Sequence, residues 1–143
     1  MRAVIALALS VLLAGSVLLL ALLPKDYTDV IAANWGLELP ESDRCLYETD
    51  SGPSPRGDGE RYHVFRYTVP GSQGIHVAWQ DVPSQEVRGR VTDILDSLSV
   101  PREWRPDLTE CHCFTMTACG SSQLYLLLNS AGTRLYVVEF SCK

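Results

Sequence analysis

The stretch Gln123–Cys142, QLYLLLNSAGTRLYVVEFSC, holds two strand-forming runs around a turn, and its reading decides the fold. Leu124–Asn129 and Arg134–Phe140 flank Ser130-Ala131-Gly132-Thr133, a turn sequence of small and polar residues. Setting Asn129 opposite Arg134 puts Leu127 across from Tyr136 and Tyr125 across from Val138. Side chains alternate along a strand. One face of this hairpin therefore carries Tyr125, Leu127, Tyr136, Val138 and Phe140, and the other Leu124, Leu126, Leu128, Leu135 and Val137. A strand pair apolar on both faces has no side to give to water and belongs in the middle of a structure.

The flanking elements follow from this centre. Within Pro83–Val100, Val87, Val91, Ile94, Leu95 and Leu98 draw one apolar stripe at helical spacing, with Ser84 as N-cap and Pro101 as stop. Cys111–Thr117 alternates as a further strand, and the two prolines of 101–110 make that segment irregular. Arg44–Thr49 and Arg61–Val69 form a second hairpin, closed by the loop Asp50–Glu60. In its first strand Cys45 and Tyr47 are expected on one face, Leu46 and Glu48 on the other. A short apolar piece, Ile75–Trp79, follows the second hairpin, with His76 expected in a strand. The predicted class is α+β: a small antiparallel sheet with one packed helix at about 84–99.

Ala3–Leu23 is an apolar run of 21 residues without a charge, interrupted only by Ser10, Gly15 and Ser16. As a helix it spans roughly 30 Å, the thickness of a bilayer's hydrocarbon core. Its length and the absence of an Ala-x-Ala pattern near its end at Leu22-Leu23-Pro24 favour an uncleaved signal anchor, with secretion after signal cleavage as the alternative. Leu12-Leu13-Ala14-Gly15-Ser16 has the shape of a lipobox, but serine cannot form the thioether that lipidation requires. The α-amine and Arg2 outweigh Lys25, so the expected topology is single-pass in the cell membrane, N-terminus cytoplasmic and domain outside. The chain then divides into an anchor (1–24), a short juxtamembrane helix (25–36) and one extracytoplasmic domain (37–143). Tyr27 and Trp35 of the juxtamembrane helix either sit at the membrane interface or pack on the domain.

All 17 acidic residues but only 11 of the 12 basic ones lie after Leu23, a net charge of −6. That balance excludes nucleic acid as a partner and a second electrostatic hold on anionic lipid. The expected partners are the membrane itself, through residues 3–23, and a protein or other envelope component.

Five cysteines follow the anchor, and outside an oxidising membrane disulfides are allowed. The hairpin register sets Ser121 opposite Cys142, so Cys119 falls diagonally on the same face, and Cys119–Cys142 is the favoured pair. Cys45 is left to pair with Cys111 or Cys113, the remaining thiol staying free. Cys111-His112-Cys113 is a poor chelate, because a strand points the two sulfurs one way and the imidazole the other. No Cys-x-x-Cys, Gly-x-Ser-x-Gly or His-Glu-x-x-His occurs, so neither catalytic residues nor a metal or cofactor are expected. Asp50, Arg56, Gly57, Asp58 and Gly59 form a candidate interaction loop whose Gly-Asp-Gly is also ordinary turn chemistry. Together these features predict a membrane-anchored, non-catalytic interaction domain. A thiol-dependent enzyme using the Cys-His-Cys segment and an accessory subunit of a membrane complex are the alternatives.

Leu46-Tyr47-Glu48-Thr49-Asp50, Gly57-Asp58-Gly59-Glu60 and Leu135-Tyr136-Val137-Val138-Glu139-Phe140 resemble a group of small uncharacterised bacterial single-pass membrane proteins. Those proteins combine a Tyr-Glu-x-Asp strand, a Gly-Asp-Gly loop and a closing Leu-Tyr-Tyr-Tyr-Glu strand. Where they show His-Gly-Gly before Gly-Asp-Gly, this chain has Gly52-Pro53-Ser54-Pro55-Arg56, so a histidine-dependent role of that loop does not carry over. The resemblance implies an anchor plus one domain and no activity.

Overall fold

The computed structural model describes residues 26–55, 58–71, 74–118 and 120–142. Its elements are α1 (Tyr27–Trp35), β1 (Arg44–Asp50), β2 (Gly59–Arg66), α2 (Gln85–Ser97), a single 3-10 turn (Arg102–Trp104), β3 (His112–Thr117), β4 (Gln123–Leu128) and β5 (Arg134–Ser141). The strands form one antiparallel sheet in the order β1-β2-β5-β4-β3. Among the described residues no helix is long and apolar enough to cross a membrane. The apolar run Ala3–Leu23 lies outside them.

The doubly apolar hairpin is at the centre, as its composition requires. Leu127 pairs with Tyr136 and Tyr125 with Val138, and β5 has β2 on its other side. Asn129 shapes the turn: its Oδ1 accepts from the backbone N–H of Thr133 and of Arg134, both at 2.9 Å.

Two cores result, one per face. On the first, α2 lays Val91, Ile94 and Leu95 against Tyr62, Val64, Leu127, Tyr136 and Val138. Burying each of those three helix side chains contributes roughly 1.5–3 kcal/mol. Ser84 caps α2, its Oγ accepting from Val87 N–H at 3.3 Å. At the other end Leu95 O accepts from the Val100 backbone N–H at 2.9 Å, and Arg105 braces the exit, donating from Nε to Val100 O at 2.8 Å and from Nη2 to Leu95 O at 3.3 Å. Its Nη1 pairs with Asp96 at 2.6 Å. Segment 101–110 is built into this core as well. Trp104 stacks on Tyr47 at 5.7 Å, and its carbonyl accepts from the Tyr62 hydroxyl.

The second face corrects the expectation of a single packed helix. Here α1 sets Ile31 and Trp35 against Phe65, Leu124, Leu126, Leu135 and Val137, with Leu37, Leu39, Val77 and Trp79 at the margins. Tyr27 and Trp35 thus pack on the domain, not at a membrane interface. Asp26 caps the helix, and Gly36 ends it at φ 64°, a left-handed conformation that glycine adopts without strain.

A bulge also revises β1. Cys45 pairs with Phe65 but Tyr47 with Val64, leaving Leu46 as the extra residue. Leu46 and Tyr47 both reach the first core, and Cys45 joins the opposite face, so Cys45 and Tyr47 do not share one. Ile75–Trp79 forms no strand: Val77 N–H bonds Ile75 O and Trp79 N–H bonds Val77 O, two successive tight turns. His76 is therefore in a loop.

Candidate functional site

Glu139 shares the face of Leu135 and Val137 by strand alternation and is 1 % exposed. Two donors from α1 satisfy it. The Tyr27 hydroxyl donates to Oε2, and Trp35 Nε1 donates to Oε1 at 2.6 Å. Burial, then the neighbouring Glu139, hold the Tyr27 hydroxyl far above its ordinary pKa, and Arg61 pulls the other way. Arg61 is the cross-strand partner of Glu139. The Tyr27 ring stacks on His63 with centroids 3.5 Å apart, and His63 stacks on Phe65 at 5.8 Å. His63 is 6 % exposed, and its Nδ1 has no hydrogen-bond partner among the described residues. Burial and the Arg61 charge push its pKa down to about 4, against the weaker opposing pull of Asp50 and Asp26. These groups form a latch that fastens α1 to β2 and β5. It is closed over by the helix, so it holds structure and offers no access to a substrate.

An open concavity lies on the other face. A groove of about 520 Å³ runs between α2 and the β3 edge, lined by Glu86, Gly89, Arg90 and Asp93 above and by Thr115, Thr117 and Tyr125 below. Residues 86, 89/90 and 93 recur at helical spacing, so one stripe of α2 faces it. Arg90 lies over the Phe140 ring, 4.8 Å from its centroid.

The β3 edge beside this groove is half covered. Gln80 bridges to Cys113, N–H to O in both directions at 2.8 Å, so Cys113 directs its main chain away from β4. Thr115 and Thr117 keep the same phase, and their N–H and C=O groups point outward with no partner among the described residues. The opposite edge is different in kind. β1 carries the bulge, Arg44, Asp50 and a Glu48 carboxyl 72 % exposed, features that block strand addition.

The cysteines are not brought together as expected. β1 and β3 are the two edges of a five-stranded sheet, so Cys45 cannot pair with Cys111 or Cys113; at about 4.8 Å per strand the edges stand roughly 19 Å apart. Cys45, Cys111, Cys113 and Cys142 all carry free thiols. Cys119, the favoured partner of Cys142, lies outside the described residues. Burial drives the Cys111 and Cys113 thiols up to about 11, so neither is an activated nucleophile. His112 points away from both, toward Asp81 at 3.8 Å.

Of the loop residues, Asp50, Asp58 and Gly59 are described, and Arg56 and Gly57 lie outside. Asp50 Oδ1 accepts from Gly52 N–H at 2.7 Å, a local turn bond. Gly59, at φ 152°, brings the chain so close to Ser51 that a Cβ would meet its Oγ at 2.6 Å. The described ends of the loop thus lie beside β1, on the edge opposite the groove.

The residues that matter most here, Glu139, Gly89, Thr115 and Thr117, are not singled out by motif. Two carry a faint signal: a charge in phase with an apolar strand face, and a glycine in the middle of a clear helix. Comparison of the chain with protein-family models, with curated proteins and with solved structures finds no match.

Proposed function

We propose that this chain is a membrane-tethered interaction domain, held by residues 3–23 and presented outside the cytoplasmic membrane, that binds a protein partner at the groove between α2 and β3. The supporting observation is the groove itself: an open concavity of about 520 Å³ bordered by main-chain groups without partners among the described residues. The thiol-enzyme alternative loses support because burial raises the pKa of Cys111 and Cys113.

Site-specific photocrosslinking of the full chain in native membranes tests the binding surface. A crosslinking residue at Gln85 or Thr117 is expected to give a discrete protein adduct that the same residue at Glu48 does not. Equal adducts at both edges, or none at the groove, refute it. Topology has its own test. Cys45 is exposed, so a membrane-impermeant maleimide added to intact cells labels it if the domain is outside.

A further inference from the structure

Resting on that reading of the groove, we infer that its occupant is an extended, positively charged segment of a partner protein, added to β3 as a sixth strand.

Three observations carry this. First, Thr115 and Thr117 offer two N–H donors and two C=O acceptors in strand geometry, beside a groove of about 520 Å³. Strand addition satisfies such groups without requiring a particular side chain. The edge Thr115-Met116-Thr117 has no charge, proline or bulge to resist it, whereas β1 has a bulge and charges.

Second, Gly89 has no internal reason to be glycine. It sits mid-helix, and a Cβ built on it meets nothing within 4 Å. Glycine there weakens the helix relative to alanine. Gly89 lines the groove, and with no side chain of its own it leaves room at that wall for side chains of a bound strand.

Third, the groove wall of α2 carries Glu86 and Asp93 against Arg90, and the Arg90 guanidinium is already engaged over Phe140. Neither Glu86 nor Asp93 is in an ion pair among the described residues. Alternate side chains of an added strand rise toward α2, where Lys or Arg complements these two carboxylates.

The test uses the full chain in detergent micelles and a displayed library of random ten-residue peptides, with the selected peptides then synthesised for titration. Selection is expected to yield peptides rich in Lys or Arg at alternating positions. N-methylation of the alternate peptide amides that face β3 should weaken binding at least tenfold, and methylation of the intervening amides should not. Thr117→Pro, which removes one outward N–H, and Gly89→Leu, which fills the groove at an exposed helix position, should each weaken binding at least tenfold without lowering the thermal midpoint. Glu86→Lys with Asp93→Lys should abolish binding of the basic peptides. Peptides that respond to Gly89→Leu but show no two-residue methylation period overturn strand addition and leave the groove reading standing. Peptides indifferent to Gly89→Leu overturn both. Acidic or uncharged peptides overturn the charge assignment. Selection of no peptide overturns the inference, and the photocrosslinking result then judges the groove alone.

Discussion

Acidification is expected to loosen this domain through one side chain, His63. The imidazole is 6 % exposed, sandwiched between Tyr27 and Phe65, and its Nδ1 finds no partner among the described residues. Charging it means placing a cation in an apolar layer beside Arg61, which is why its pKa is pushed down to about 4 from an ordinary 6.5. Glu48 stands 3.8 Å from Nε2, but its side chain is 72 % exposed, so water screens most of its help. Because the folded pKa lies below the unfolded one, the unfolded chain takes up the proton first. Stability is therefore lost as pH falls from about 6.5 to about 4. Linkage puts the whole loss at about 3 kcal/mol, with about 2 kcal/mol of it falling between pH 7 and pH 5. Urea unfolding at pH 7 and pH 5, followed by circular dichroism, measures it. Carboxylates also titrate toward pH 5, so the quantity to compare is the pH dependence of the native chain against His63→Phe, which keeps both ring contacts and cannot protonate. The variant is expected to lose about 2 kcal/mol less over that interval. Equal losses in the two chains refute the assignment of the acid sensitivity to His63.

The latch itself makes a second prediction. Trp35→Phe keeps a six-membered ring but removes the pyrrole half of the indole with its donor to Glu139 Oε1, so the lost partner of the buried acceptor costs about 1–3 kcal/mol in urea unfolding and the lost volume adds to it. Third, Arg105→Ala removes the donors to Val100 O and Asp96 and the second donor to Leu95 O, whose backbone bond from Val100 N–H remains, costing about 1–2 kcal/mol; Arg105→Lys should not restore it, because one ammonium cannot span the positions the guanidinium fork bonds. Fourth, Gly89→Ala should stabilise the free domain by about 0.5–1 kcal/mol, the gain expected where a helix glycine gives way to alanine in open space. Fifth, in a native thiol titration Cys45, exposed but with its thiol pKa raised by partial burial, reacts slowly without unfolding, and Cys111 and Cys113 react only on unfolding.

Each prediction turns on a residue whose importance is only partly visible in the chain. The helix cap at Ser84, the stripe Val87–Leu98 and the register of β4 against β5 are legible because they depend on neighbours within a few residues. Periods of two and 3.6, and the Asn129 turn, are enough to place them. Segment 25–36 was equally legible as a helix, yet its apolar face has two plausible destinations in sequence, a bilayer and a protein core. The second sheet face decided between them. The β1 bulge is of the other kind: nothing local in Cys45-Leu46-Tyr47 announces it, and it shows only in the register of β1 against β2.

The sequence by itself determined the α+β class, the central hairpin with both faces apolar, and the capped helix 85–97, because each is set by local periodicity and turn chemistry. Only the tertiary structure decided the strand order that holds Cys45 and Cys113 at opposite edges, and the docking of α1 on the second face. It also decided the donors that reach Glu139 from more than a hundred residues away, and the half-open β3 edge beside α2. The physical reason is that a strand's pattern specifies which side is apolar but not which neighbour covers it. That choice is made by chain closure over long separations, where a buried carboxyl must find its donors and an edge is either paired or left open.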